Sequence, residues 1–174
     1  MRFERSSIPE VGRLLAVLVA ARARGRFAEI GTGCGVGSAW IVDALGPEAS
    51  FVTVELDDDR AAAASRLFAD HPNVRVLQGD WHELLPPEAP YDLLFFDGRQ
   101  WKRGDVPAES KQVLSLVAPG GIVVIDDLIP QSLWPEEWRG RPDPPREFWL
   151  NRAELVAAEI LTTPGSAAII AVRR

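Results

Sequence analysis

The stretch EIGTGCGVG, from Glu29 to Gly37, places four glycines at alternate positions directly behind an apolar run. Glycine adopts backbone conformations that other residues avoid, and it lets another molecule approach the main chain closely. The spacing lacks the lysine of a phosphate-binding loop and fails the Gly-x-Gly-x-x-Gly dinucleotide pattern. What remains is acid-x-Gly-x-Gly-x-Gly, formed by Glu29, Gly31, Gly33 and Gly35. This loop predicts either a ligand close to the backbone or a tight strand-to-helix turn without one.

Two further acidic residues follow the next predicted strands. Glu55 ends the second strand, 22 residues after Gly33, where a carboxylate can accept hydrogen bonds from both hydroxyls of a ribose. Nicotinamide enzymes share such an acid, so it does not identify the ligand. Asp80 follows the third strand, in QGDWHE. Its neighbour Trp81 is either a ring-stacking residue or a core residue beneath the sheet edge, and we expect His82 to be a solvated loop residue.

These residues can form one site only if the fold brings them to the same edge of a sheet. Helical periodicity and short apolar runs alternate along the chain, which predicts a parallel sheet covered by helices on both faces, a Rossmann-like doubly wound α/β fold. Two terminal segments without room for a helix between them predict an antiparallel hairpin, giving seven strands. We expect helices over 8–24, 36–45, 57–70 and 105–117, and strands over 27–30, 51–56, 74–78, 91–97, 122–126, 155–163 and 167–174.

The bulk composition limits the class of protein. A chain of 174 residues predicts a single domain spanning 1–174. The net charge of −6 disfavours a nucleic-acid-binding surface. The single cysteine, Cys34, forbids an internal disulfide and predicts a reducing, cytoplasmic environment; we interpret it as a small turn residue.

The run from Leu14 to Ala23 has some features of a signal peptide. Glu4 and Glu10, however, dilute the basic charge that a signal peptide carries before its apolar run. This favours a buried helix and no membrane segment.

A proline-rich insertion separates the last helix-strand unit from the hairpin. Residues 128–150, LIPQSLWPEEWRGRPDPPREFWL, contain five prolines and three of the six tryptophans. The segment predicts either a wall for an aromatic substrate or a surface loop pinned by its own tryptophans.

The acid-glycine motif, the segments FFDG and VVIDDLIP and the terminal hairpin together resemble class I S-adenosylmethionine-dependent methyltransferases. The resemblance is to the small O-methyltransferases of the catechol and caffeoyl-coenzyme A type, and it extends over residues 8 to 174. It implies S-adenosylmethionine as the cofactor. In that family the acid matching Asp80 accepts from the adenine amino group and the next residue flanks the ring. The implied cofactor-binding residues are Glu29, Gly31, Gly33, Gly35, Glu55, Asp80, Trp81 and Asp97.

The same resemblance implies a divalent cation such as Mg²⁺ at Asp97, Asp126 and Asp127. Three carboxylates at adjacent strand ends would repel one another without a positive ion. Here the pair after strand five is Asp-Asp where the family has Asp-Asn, and Gln100 stands where the family commonly has a lysine. The catalytic candidates are therefore Asp97 and Lys102. The alternative is that Asp97 faces the cofactor while the Asp-Asp pair caps a turn.

The resulting prediction is an enzyme that transfers a methyl group to a hydroxyl oxygen of a small aromatic molecule, with or without a metal. A non-catalytic S-adenosylmethionine-binding protein and a nicotinamide-dependent oxidoreductase are the alternatives. The expected partner is a small-molecule methyl acceptor, with no nucleic acid and no membrane, and a homodimer is left open.

Overall fold

The structure, a computed structural model, describes residues 7–97 and 105–174. None of the helices in these two ranges is long and apolar enough to cross a membrane. The helices are α1 (Pro9–Ala20), α2 (Val36–Asp43), α3 (Asp58–Leu67), α4 (Trp81–Leu84), α5 (Val106–Ser115) and α6 (Pro144–Leu150). The strands are β1 (Arg26–Ile30), β2 (Ser50–Glu55), β3 (Val74–Gln78), β4 (Tyr91–Phe96), β5 (Val117–Leu128), β6 (Leu155–Thr163) and β7 (Ser166–Arg173).

The strands form one seven-stranded sheet in the order β3-β2-β1-β4-β5-β7-β6. The first five strands run parallel, and β7 pairs antiparallel with both β5 and β6. The predicted fold, a doubly wound sheet with a C-terminal antiparallel hairpin, is confirmed. Because β1 to β5 are parallel, the loops that follow them all leave from the same edge, where ligands of open α/β sheets bind.

Alternate residues of the central strands face two separate apolar layers. On β4, Leu93 and Phe95 face the layer that contains α1, while Leu94 and Phe96 face the layer that contains α5 and α6. All four side chains are at most 1% exposed. Burial on both faces explains the continuous apolar strand sequences. Each such side chain contributes about 1.5–3 kcal/mol of burial free energy.

Strand β5 is longer than the sequence predicts, because it begins at Val117 instead of residue 122. Val117 pairs with Tyr91, and the register then shifts before the pairing resumes at Leu93. Gly121 makes this irregularity possible, since an added Cβ there would lie 2.9 Å from the carbonyl oxygen of Tyr91. The Pro-Gly-Gly sequence at 119–121, directly after the helix predicted over 105–117, therefore lies inside an irregular strand.

A buried arginine anchors the insertion that follows β5. Arg146 is 6% exposed, and its guanidinium donates to the carbonyl oxygen of Ile129 at 2.9 Å and to both carboxylate oxygens of Glu159 on β6. It also pairs with Asp143 at the start of α6. Trp134 donates its indole N–H to the same Ile129 carbonyl at 3.2 Å. The segment is thus held to the sheet by the ion pairs of a buried arginine as well as by Trp134.

Candidate functional site

Three of the four glycines of the motif lie in the glycine loop between β1 and α2, and all three have left-handed backbone conformations. The φ angles are 96° at Gly31, 56° at Gly33 and 80° at Gly35. Any other residue would destabilise such a conformation by roughly 1–2 kcal/mol. Gly37 serves a different purpose, because a Cβ there would lie 2.7 Å from Glu29 Oε1. Three glycines therefore shape a bare loop, and the fourth lets α2 pack on β1.

Glu29 lies beneath this loop and not at its surface. Its side chain is 1% exposed, and its Oε2 accepts hydrogen bonds from the hydroxyls of Ser38 and of Thr53, the latter at 2.7 Å. Burial raises the pKa of Glu29 to about 7, although the two hydroxyl hydrogen bonds favour the charged form. Glu29 is predicted as a cofactor ligand, but the structure places it as a support that joins β1, β2 and α2 under the glycines.

Glu55 connects the end of β2 to the glycine loop. Its Oε2 accepts from the backbone N–H of Gly33 at 2.8 Å. Its Oε1 accepts from the N–H of Asp57 at 3.0 Å and from the guanidinium of Arg60 at 2.9 Å. Glu55 thus lies where the sequence predicted it, beside the glycines at the sheet edge. Arg60, on the first turn of α3, is a residue of this site that sequence reasoning missed.

The ring of His82 on α4 connects Asp80, the N-cap of that helix, to Glu109 on α5. Asp80 Oδ1 accepts from the backbone N–H of His82 at 3.0 Å and lies 2.6 Å from its Nδ1, while Nε2 of His82 lies 3.1 Å from Glu109 Oε1. The backbone and side-chain hydrogen bonds from His82 lower the pKa of Asp80. Burial lowers the pKa of His82, but Asp80 and Glu109 outweigh it and raise that pKa. The sequence predicts His82 as a solvated loop residue, whereas it lies on α4 with its side chain 29% exposed and its ring between two carboxylates.

Trp81 belongs to the core beneath this contact. It is 2% exposed and makes an edge-to-face contact with Phe96 at 6.1 Å between ring centroids. The His82 ring stacks on it at 3.8 Å. Of the two interpretations of Trp81, the core residue agrees with this burial, and stacking on a cofactor ring would require His82 to move away.

The carboxylates predicted to hold a metal lie on two neighbouring strands. Asp97 follows β4, and its N–H donates to the carbonyl oxygen of Ile30 at 3.0 Å. Asp126 is buried, whereas Asp127 is exposed and has a φ of 65°. The pairing of β5 with β7 shifts register between Ile125 and Leu128, so the Asp-Asp pair forms a bulge that turns its two side chains differently.

Among residues 7–97 and 105–174, no group of three or more His, Cys, Asp or Glu side chains is arranged to hold a metal ion. Asp97, Asp126 and Asp127 therefore do not form such a group within the described part of the chain. Lys102, the second catalytic candidate, and Gln100 lie outside the described residues.

Comparison with known proteins supplies the context for this site. A family model described as a methyltransferase domain matches residues 28–128. A Mycobacterium tuberculosis protein named "Probable O-methyltransferase" is 28% identical over 123 residues, which is 67% of this chain and 54% of that protein. The chain thus spans about half the length of the curated relatives it matches.

Solved structures show the same architecture. An O-methyltransferase from Streptomyces achromogenes involved in tomaymycin synthesis, in complex with SAM, has a TM-score of 0.74 and 26% identity, covering 97% of this chain and 81% of that one. An O-methyltransferase from Bacillus cereus, in complex with SAH, has a TM-score of 0.78 and 22% identity, covering 99% and 84%. At that lower identity the likeness shows the fold alone.

Proposed function

Because this chain belongs to the methyltransferase domain family that matches residues 28–128, we propose that it transfers the methyl group of S-adenosylmethionine to a hydroxyl oxygen of a small aromatic molecule. The predicted resemblance to class I methyltransferases is confirmed by that family match. The observation that carries the proposal is the bare glycine loop tied to Glu55 at the carboxyl edge of the sheet.

The loop fits the amino-acid half of the cofactor. Gly35 is the N-cap of α2 and provides no side-chain cap to the first amides of that helix. Those amides carry the positive end of the helix dipole, which favours a carboxylate. The left-handed glycines keep Cβ atoms away from the path of the ligand. We therefore assign Gly31, Gly33 and Gly35 to the methionine portion.

Glu55 fits the ribose. It is 6% exposed, and its two oxygens already accept from Gly33, Asp57 and Arg60. Each carboxylate oxygen has two lone pairs, so ribose hydroxyls would share these oxygens with the backbone amides or replace the Arg60 guanidinium. Asp80, half-exposed at the end of β3, is the proposed acceptor for the adenine amino group.

The reaction is an in-line displacement that the protein accelerates mainly by alignment. The acceptor oxygen forms a bond to the methyl carbon, the carbon–sulfur bond breaks with its electron pair passing to sulfur, and the hydroxyl proton leaves to a base. The sulfonium charge disappears as the proton is released, so the site need not stabilise a large new charge. Asp97, half-buried at the end of β4, remains the candidate base among the described residues.

The direct test is transfer of tritium from methyl-labelled S-adenosylmethionine to a panel of phenols and catechols. The matched variants are Gly33→Ala and Gly120→Ala, because both glycines have left-handed φ angles, 56° and 76°. Only Gly33 lies in the site, since Gly120 is at the opposite end of β5 with open space around it. We expect both variants to lose similar stability, about 1–2 kcal/mol, and only Gly33→Ala to lose transfer.

The two alternatives predict other results. A non-catalytic binding protein would bind S-adenosylhomocysteine without transferring a label to any phenol. An oxidoreductase would give a difference spectrum with NADH and no binding of S-adenosylhomocysteine. Equal transfer by the two glycine variants would remove the glycine loop from the cofactor site.

A further inference from the structure

The insertion over residues 128–150, which includes α6, forms an open pocket of about 520 Å³. That volume is in the usual range for small-molecule sites, roughly 300–1,000 Å³. The segment leaves from the end of β5, at the sheet edge where the glycine loop leaves β1. The pocket is lined by Gln131, Trp134, Arg139, Gly140, Arg141, Pro142 and Glu147.

Its aromatic wall has a fixed orientation. The indole N–H of Trp134 donates to the carbonyl oxygen of Ile129 at 3.2 Å. Trp138 meets the Trp134 ring edge-on at 6.2 Å, and the guanidinium of the buried Arg146 lies 5.8 Å from the ring centroid. A flat, pre-oriented indole suits an aromatic ligand, because little side-chain freedom is lost on binding.

Two arginines reach this pocket from one turn of the backbone. Gly140 has a φ of 75°, and this left-handed turn brings the side chains on both sides of it, Arg139 and Arg141, to the same pocket. The Nε of Arg139 donates to the carbonyl oxygen of Trp134 at 3.2 Å, which fixes the direction of its guanidinium. Within the described ranges, neither arginine has a carboxylate at ion-pair distance.

The charge balance of the lining indicates the charge of the ligand. Two guanidinium groups and the carboxylate of Glu147 leave a net charge of +1, in a protein whose net charge is −6. Guanidinium groups match the planar, two-oxygen geometry of a carboxylate. A second negative charge on the ligand would exceed the charge of the lining.

We propose that this pocket binds an aromatic monocarboxylate, with its ring against Trp134 and its carboxylate on Arg139 and Arg141. This inference rests on the proposed function in one respect, since the ligand is taken to be the methyl acceptor. The hydroxyl that is methylated would then be directed away from the arginines.

The test compares 3,4-dihydroxybenzoate with 3,4-dihydroxybenzamide, which has the same ring without the charge. Calorimetry measures both dissociation constants on the full chain in the presence of S-adenosylhomocysteine, and labelled transfer measures both KM values. We expect the acid to bind about tenfold more tightly than the amide, the factor that corresponds to ~1.4 kcal/mol, because exposed guanidinium groups interact less strongly than buried ones.

The double variant Arg139→Gln/Arg141→Gln should reduce this preference to less than about twofold, and the exposed Arg13→Gln on α1 should leave it unchanged. If the double variant does not fold, Arg141→Gln alone should still lower the preference, since no hydrogen bond from its guanidinium to a described residue would be lost. Trp134→Leu should weaken acid and amide alike.

The outcomes separate this inference from the proposed function. Preferential binding of the acid, with no methyl transfer to it or to any compound of the phenol and catechol panel, would support the pocket and overturn the proposed methyl transfer. Transfer to acid and amide with equal KM, unchanged in the double variant, would overturn the pocket and leave that assignment intact. Failure of both compounds to bind would also overturn the pocket.

Discussion

Replacing Glu29 by glutamine tests whether this acid supports the glycine loop or contacts the ligand. Glutamine has the shape of a protonated glutamate, and its carbonyl oxygen can still accept from Ser38 and Thr53. It removes only the ability to become charged. The variant therefore isolates the energetic consequence of ionising a carboxyl group that is buried beneath the loop.

The magnitude follows from the pKa of Glu29, which burial raises from 4.5 to about 7. One pKa unit corresponds to about 1.4 kcal/mol, so a shift of roughly 2.5 units corresponds to ~3 kcal/mol. The direction of the pH dependence of stability follows from which state, folded or unfolded, binds the proton of Glu29 more tightly. Above pH 4.5 the unfolded chain releases this proton while the folded chain keeps it until about pH 7, so the contribution of Glu29 to stability is complete below pH 4.5 and is lost as pH rises to 7.

Urea unfolding of the wild type and of Glu29→Gln between about pH 4.5 and pH 8 measures this contribution. We expect the free energy of unfolding of the wild type to fall by ~3 kcal/mol more than that of the variant over this range. The exposed Glu48→Gln is the control, because Glu48 is 62% exposed and pairs with Arg24 at the surface. Parallel pH profiles for wild type and Glu29→Gln would refute the reasoning.

Ligand binding by Glu29→Gln also distinguishes a glutamate that only supports the glycine loop from one whose charge contacts the ligand. If Glu29 only supports the loop, Glu29→Gln should bind S-adenosylhomocysteine within about twofold of the wild type at pH 8. If its charge contacts the ligand, affinity should fall by about tenfold or more, since hydrogen bonds to charged groups contribute about 1.5–3 kcal/mol. Calorimetry at pH 8 distinguishes these results.

Four further outcomes are expected. Glu55→Ala should weaken S-adenosylhomocysteine binding by roughly 1.5–3 kcal/mol in calorimetry, and unchanged affinity in a folded variant would remove Glu55 from the site. Trp134→Ala should raise the acceptor KM more than it changes cofactor affinity, with Trp138→Ala showing a smaller rise; untouched acceptor kinetics in both would mean that the segment is structural. EDTA followed by added Mg²⁺ tests the predicted metal: full activity in EDTA, with Asp126→Ala still active, would exclude it. Arg146→Met should lower the free energy of unfolding by about 3 kcal/mol in urea titrations, because it leaves the partly buried carboxylates of Asp143 and Glu159 without their partner, and a loss below ~1 kcal/mol would contradict its anchoring role.

The strands of the sheet can be predicted well from the sequence, because the feature that identifies each strand lies in its own residues. Strands buried on both faces must be continuously apolar, as Leu93 to Phe96 are, so their positions can be found without knowing their neighbours. The position of Glu55 follows similarly, since it ends such a strand. The irregular start of β5 cannot be predicted in this way, because it depends on the pairing of Val117 with Tyr91 on β4.

The polar contacts of the site are the part that sequence reasoning misses. Glu29 has its hydroxyl partners on α2 and β2, and His82 meets Glu109 on a helix 27 residues away. No periodicity relates such residues, so nothing in the sequence separates a bridging histidine from a solvated one. The bulge at the Asp-Asp pair has the same origin, because its register depends on β7, on the far side of the insertion.

The most direct test of the account is a crystal structure of this chain with S-adenosylhomocysteine. The account predicts the methionine portion over Gly31, Gly33 and Gly35, the ribose hydroxyls on the carboxylate of Glu55, and the adenine amino group at Asp80. S-adenosylhomocysteine bound away from the glycine loop, or absent from crystals soaked at saturating concentration while the protein remains folded, would contradict it.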